Sequence, residues 1–331
     1  MSSFCRPRLV ISKCIEFERC RWNGEMINSD IVKRLMPYCD MLPVCMEVEI
    51  GLGVPRDPVR VVKEKEGLRM VQPATGRDVT DLANEFCDRY LSHIGEVDGF
   101  LLKSRSPSCG IKDVKVYPPG EKVAALTAKE RGFFGRAVLA KFGHLAIEDE
   151  ARLLNMRIGE HFLTQIFAFA ELRDVKGSRK LSKLVDMHSR YKLLLMSYSH
   201  KELRTLGNIV ANREKRRFDE VIEAYSPHFY AALSRPPRCG SGTNVLLHAF
   251  GYLSDKLNTE EKALFLDTLK KFNDGKVPMT VPIGIIKAWV ARFDIPYLRQ
   301  QRFLQPFPDE FLEMMSNDAC LGRDLWADLE Q

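Results

Sequence analysis

Three cysteines of the 331-residue chain each follow a short apolar run: Cys14 after "LVIS", Cys45 after "MLPV" and Cys109 after "FLLKSRSPS". Apolar runs of this length, bounded by turn residues, read as buried strands. In an open α/β sheet, ligands bind in the crevice at the carboxyl ends of the strands. Thiols at three strand ends can therefore converge on one point. Convergent thiolates suit a soft centre, either zinc or an iron–sulfur cluster. The intervals between them match no compact C-x-x-C motif. The alternative reading is that these are ordinary buried cysteines, which pack as small hydrophobes. Pro107 and Gly110 shape an irregular loop around Cys109, and glycine tolerates a close backbone approach there.

The chain has nine cysteines, seven of them within the first 109 residues. An odd number spread over a long chain argues against a disulfide framework. Reduced thiols, an N-terminus without a signal-peptide pattern and no apolar run of membrane-spanning length lead us to expect a cytoplasmic protein. The composition, 45% hydrophobic and 28% charged, is that of a globular protein.

The elements that must position these thiols follow from the pattern. "RLVISKC", "MLPVCMEVEIG", "VRVV" and "VDGFLLKS" read as strands. "INSDIVKRLMPYC", with an N-cap at Asn28 or Ser29, and "DVTDLANEFCDRYLSHI" read as helices. Such βαβ alternation predicts an α/β domain with a mostly parallel sheet over residues 1–148. From there on strands disappear, and residues 149–331 are expected to form an all-α domain. "TEEKALFLDTLKKFNDG" is one of its helices, expected to be capped by Thr259 and stopped by Gly275.

Three blocks carry a resemblance: "SKCIEFERCRWNGE", "PVCMEVEIGLGVPR" and "LLKSRSPSCG". They resemble, in order, the signature blocks of the thiouracil/thiouridine desulfidase family. The helical half is similar to the companion domain of that family's long form, the type associated with 4-thiouridine in transfer RNA. The resemblance implies a [4Fe-4S] cluster bound by Cys14, Cys45 and Cys109, with the fourth iron open to a substrate sulfur. It also implies Glu47 as catalytic carboxylate and Ser106 as a second catalytic residue. Read without the family, Glu47 is a strand-end carboxylate and Ser106 a turn serine before Pro107. Arg56 is either a contact to a nucleotide phosphate or a surface arginine. Two departures bear on the pocket rim: Ile15-Glu16-Phe17 where the family has Leu-x-Gly, and Met46 where it has proline. Cys20 is a further thiol that the pattern does not require.

Charge points to the partner. From Arg173 to Arg217 there are 13 Lys/Arg against 4 Asp/Glu, and from Asp309 to Gln331 one Arg against 7 acids. The basic stretch interleaves aromatics with cations, which suits an RNA backbone and unstacked bases, whereas a solvated helix face is the plainer reading residue by residue. Arg190, Lys192, Arg213, Lys215, Arg216 and Arg217 are the candidate contacts to transfer RNA. No membrane and no protein partner are evident. The expected function is non-redox desulfuration of a thiolated uracil base, most specifically 4-thiouridine in transfer RNA. The alternatives are action on free thiouracil or a thiouridine monophosphate, and an RNA-binding or redox-sensing protein with a structural cluster.

Overall fold

A computed structural model describes residues 4–120 and 123–311. It divides into two compact units: Arg6–Ile166, and Phe167–Asp309 joined by the chain's start up to Cys5.

The first unit is α/β. Its strands are β1 (Arg8–Ser12), β2 (Asp40–Val44), β3 (Arg60–Glu64), β4 (Gly67–Gln72), β5 (Arg77–Asp78), β6 (Gly99–Leu102), β7 (Val114–Tyr117), β8 (Thr127–Glu130) and β9 (Ala146–Asp149). Its helices are α1 (Asp30–Leu35), α2 (Met46–Glu49), α3 (Thr80–His93) and α4 (Phe133–Phe142). One sheet, in the order β2-β1-β6-β9, is parallel throughout. Leu9, Val10 and Ile11 of β1 and Phe100, Leu101 and Leu102 of β6 are all fully buried, the continuous apolar pattern of central strands covered on both faces. The second sheet, β5-β4-β3-β7-β8, is mixed: β3 and β7 run parallel, and the other pairs antiparallel.

Two local expectations change. "MLPVCMEVEIG" alternates like one strand, but the strand ends at Val44 and residues 46–49 coil into α2. The amides of Glu49 and Ile50 return to the carbonyls of Cys45 and Met46 at 3.0 Å each, and Gly51, at φ +80°, ends the turn. Alternation there reflects one buried residue, Met46, rather than a pleat. The helix after Ser29 stops at Leu35, before Pro37, and the Ser29 side chain makes no cap hydrogen bond.

The second unit is helical: α5 (Met156–Ser178, which begins in the first unit), α6 (Leu181–Tyr198), α7 (His200–Ala211), α8 (Phe218–Ala232), α9 (Cys239–Gly251), α10 (Thr259–Asn273), α11 (Thr280–Phe293) and α12 (Pro296–Arg299). The cap of α10 is Asn258 rather than Thr259. Its side chain accepts the Glu261 amide at 2.8 Å, and the Glu261 carboxylate accepts the Asn258 amide at 2.9 Å. At its core, buried Glu171 accepts hydrogen bonds from Tyr191 (2.9 Å) and from the Arg302 Nε (3.1 Å), and pairs with Arg190. No helix among the described residues is long and apolar enough to cross a membrane.

Candidate active site

Parallel pairing sets the geometry. Ser12 of β1 lies opposite Val44 of β2, and Ile11 opposite Leu101 of β6. The three strands therefore end together, and the segments leaving them carry Cys14, Cys45 and Cys109 into one cavity of about 350 Å³. Cys20, Glu47, Ser106, Ser108 and Arg56 line the same cavity.

The Cys109 loop is fixed by α4. Amides of Gly132, Phe133 and Gly135 donate to the carbonyls of Gly110 (2.7 Å), Pro107 (3.0 Å) and Ser108 (3.1 Å). This approach requires glycine: a Cβ on Gly135 would stand 2.4 Å from the Gly110 carbonyl oxygen, and one on Gly132 2.4 Å from that of Ser108. Both obstacles are backbone. Gly135→Ala is therefore expected to destabilise the fold by about 1–3 kcal/mol, the usual range for overpacking, as read from a denaturant midpoint. An unchanged midpoint would show that the loop yields freely.

The thiols differ in surroundings. Cys109 is buried; burial pushes its thiol up to about 12, while a hydrogen bond with Ser12 pulls the other way. Ser12, itself buried, also accepts the Lys103 amide at 2.9 Å, so one hydroxyl ties β1 to the start of the Cys109 loop. Cys45 and Cys20 are in mutual hydrogen-bond contact, which together with burial raises the Cys45 thiol. Cys20 also contacts Cys14, and its thiol is pushed up to about 11, chiefly by that hydrogen bond. Four thiols thus face one cavity, where the sequence pattern called for three.

Glu47 is held from two sides. Ser108 donates its hydroxyl to Oε1 at 2.5 Å, and Arg56 donates Nε and Nη2 to Oε2 at 2.8 and 2.7 Å. The Arg56 side chain is only 4% exposed, and its Nη1 also reaches the carbonyls of Cys20 (3.0 Å) and Gly53 (2.8 Å). Where the sequence suggests a phosphate contact, the structure gives Arg56 to Glu47. Ser106 accepts the amides of Ser108 and Cys109 at 3.2 and 3.1 Å, the bonding of a turn serine, which leaves its hydroxyl proton to donate. Sequence reasoning passed over Ser108, whose neighbour Cys109 drew the attention, and Ser12, which looks like any small strand residue. It also passed over two residues of the rim. Trp22 lines the cavity yet is 47% exposed. Arg105, exposed and with φ +56°, has no salt bridge among the described residues.

The cysteines, acids and imidazoles of the described residues do not close around one point as a single metal ion requires. A cluster makes a different demand, because its thiolates sit on separate irons and stand farther apart. Thiols delivered from three separate loops into a shared cavity fit that demand.

The candidate RNA contacts lie in the helical unit. Lys192, Arg213, Lys215 and Arg217 are exposed. Arg213, Lys215, Arg216 and Arg217 fall in the loop between α7 and α8, where Asn212 and Lys215 take positive φ. Arg190 is different: it is half-buried and paired with Glu171 and Asp186, so its charge serves the interior. The acidic stretch beyond residue 311, with Cys320, lies outside the described residues.

Two family models match the chain: 2-thiouracil desulfurase over residues 9–150, and a protein of unknown function, DUF1722, over residues 192–308. The chain is 30% identical over 154 residues to the Uncharacterized protein YbgA of Escherichia coli, covering 91% of it and 46% of this chain. It is 28% identical over 109 residues to the Uncharacterized protein YbbK of Bacillus subtilis, covering 72% of it and 31% of this chain. A solved structure of a [4Fe-4S]-dependent thiouracil desulfidase, TudS, is 25% identical and matches 93% of its own chain and 45% of this one. Its TM-score of 0.37 is too low to bear on the fold.

Proposed function

Because the chain belongs to the family of Escherichia coli YbgA and its residues 9–150 match the 2-thiouracil desulfurase model, we propose that it removes sulfur from a thiolated uracil base, with 4-thiouridine in transfer RNA as the substrate. The observation that carries the chemistry is the convergence of Cys14, Cys45 and Cys109 with a doubly held Glu47 in one cavity.

Cys14, Cys45 and Cys109 would hold a [4Fe-4S] cluster. Held by three thiolates, such a cluster would supply a soft Lewis acid able to polarise the carbon–sulfur bond of a thiocarbonyl. The chain's own residues do the rest. Glu47 takes a proton from water as the water adds to the ring carbon. Arg56 and Ser108 each occupy one side of its carboxylate, so the group is oriented before substrate arrives; Oε2 accepts both Arg56 donors, and Oε1, with only Ser108 on it, keeps a lone pair for the proton. Ser106, with its hydroxyl proton unspent, donates to the ring or to the departing sulfur. The balance is one water in and one hydrosulfide out, with no electrons exchanged.

Rim chemistry supports a nucleotide rather than a bare base. The exposed Trp22 indole offers a stacking face for a pyrimidine, worth about 1–3 kcal/mol per base. Arg105 offers an unpaired guanidinium for a phosphate.

The α7–α8 loop supports a folded RNA. Phosphate contacts make binding fall steeply with salt, at a slope of about 0.9 per contact for a duplex. Changing Arg213, Lys215 and Arg217 together to Gln is expected to weaken binding of thiolated transfer RNA and flatten the slope by about 2–3. Turnover of 2-thiouracil should stay unchanged. Filter binding across a salt series, beside sulfide release from both substrates, makes the measurement. Unaltered RNA affinity would instead favour a small thiopyrimidine as the substrate.

A further inference from the structure

Strand register sets an ion pair beside the cavity. Leu102 of β6 lies opposite Asp149 of β9, so the next residues, Lys103 and Glu150, leave the two strands side by side. Glu150 takes three hydrogen bonds there. The Lys103 ammonium (2.6 Å) and the Ser104 hydroxyl (2.8 Å) donate to Oε1, and the Ser104 amide donates to Oε2 (2.8 Å). Lys103 spends its other two hydrogens on the Ser104 carbonyl (3.0 Å) and hydroxyl (2.8 Å). The Lys103 and Glu150 side chains are only 22% and 10% exposed. The ammonium is therefore tied back and neutralised.

The other cations of the cavity wall fall into the same pattern, with one exception. Lys13, Arg21 and Arg56 pair with Glu18, Glu25 and Glu47. Arg105 has no salt bridge among the described residues. Its neighbours are both pinned: Ser104 by Glu150, and Ser106 by the amides of Ser108 and Cys109. Its own backbone is left-handed, at φ +56°, a conformation that a residue with a side chain adopts at a cost. Arg105 is thus held in place as a cation without a counter-charge. Lys103, two residues away, would be a second cation for the same anion if Glu150 did not hold it.

Phosphates differ in the charge they bring. A phosphodiester, the linkage inside an RNA chain, carries one negative charge. A terminal phosphate monoester ionises a second time at about pH 6 and approaches two charges at neutral pH. One guanidinium answers the first charge. The second must shed water on entry with no partner to replace it.

We propose, resting on the desulfidase reading above, that the Lys103–Glu150 pair determines specificity: by cancelling Lys103 it leaves Arg105 as the counter-charge for a phosphate, so the cavity takes a thiolated nucleotide through a singly charged phosphodiester rather than a doubly charged monoester. The substrate class is then a nucleotide within a chain, and Glu150 is the residue that turns away the free monophosphate. Glu150 acts through Lys103 and touches no substrate itself.

The 5′-phosphate and the 3′-phosphate of 4-thiouridine, each as monoester and as methyl ester, give two substrate pairs whose members differ by one charge. Sulfide release by anaerobically prepared full-length protein yields kcat/KM for each. At about pH 8 wild type should favour the methyl ester in the pair whose phosphate meets Arg105, and the preference should vanish below about pH 6, where the monoester also carries one charge. Both members of a pair meet the same enzyme, so its own titrations cancel in the ratio. Glu150→Gln should move the ratio toward the monoester by about fivefold, the scale of one partly exposed ion pair. Adding Lys103→Met to that variant should restore the wild-type ratio. A damaged fold or lost cluster slows both members alike and leaves the ratio where it was. Equal rates within both pairs in wild type, a preference for the monoester, or an unmoved ratio in Glu150→Gln overturns the proposal and leaves the desulfidase reading standing. Sulfide from thiolated transfer RNA but none from the methyl esters does the same. No sulfide from any of these substrates overturns both.

Discussion

Cys109→Ala is expected to yield a folded protein with no cluster and no desulfidase turnover. Cys109 is buried, in a loop bonded to the first turn of α4 through three backbone hydrogen bonds. The other three thiols of the cavity belong to the segments that follow β1 and β2. The loop is held by backbone groups, so it survives the loss of the side chain. Cys87→Ala is the control. Its sulfur packs 3.8 Å from that of Met46 in the core under α3. Removing it should cost some stability, at or below the low end of large-to-small core changes, about 1 kcal/mol, and no iron. Iron and sulfide analysis with visible absorption separates the two. Full iron retention in Cys109→Ala would remove that residue from the ligand set.

Glu47→Gln should keep the iron and the fold but lose about 10²- to 10⁴-fold in turnover, the usual contribution of a general base. Gln fits the same frame. Its carbonyl oxygen can accept from Arg56, and its amide can donate to the Ser108 oxygen, so both ends of the Gln amide keep a partner. What it cannot do is take a proton from water. The rate is read as sulfide released per iron-loaded chain, so that cluster content does not confound it. A Gln variant as fast as wild type would take Glu47 out of the mechanism.

Much of this arrangement was legible in the residues. Apolar runs before Cys14 and Cys109 announced buried strands, the run before Cys45 announced a strand that proves to be an edge strand buried only at Val44, and strand ends are where α/β sheets gather ligands. What the pattern does not carry is the direction of a side chain in an irregular loop. Ser106 and Ser108 flank the same proline, yet only Ser108 meets Glu47, because Ser106 turns back onto the amides of its own loop. Arg56 reads as a surface cation, but its amide bonds the Trp22 carbonyl at 2.8 Å and its side chain turns inward onto a carboxylate. Met46-Glu47-Val48 alternates like a strand, and only the hydrogen bonds back to Cys45 and Met46 reveal a helical turn. Arg190 looks like one more member of a basic stretch until Glu171, nineteen residues earlier on α5, is found buried beneath it. For Ser108, Arg56 and Arg190 a distant partner overrides the local signal; for Ser106 and α2 the deciding hydrogen bonds are local.

The most direct test of the central claim is hydrosulfide release from 4-thiouridine by anaerobically purified protein, with no electron donor present. The expected result is a cluster of about four irons per chain, and one hydrosulfide and one uridine formed per thiolated base consumed, over many turnovers without added reductant. A protein that binds no cluster, or one that releases sulfide only when a reductant is supplied, would contradict it.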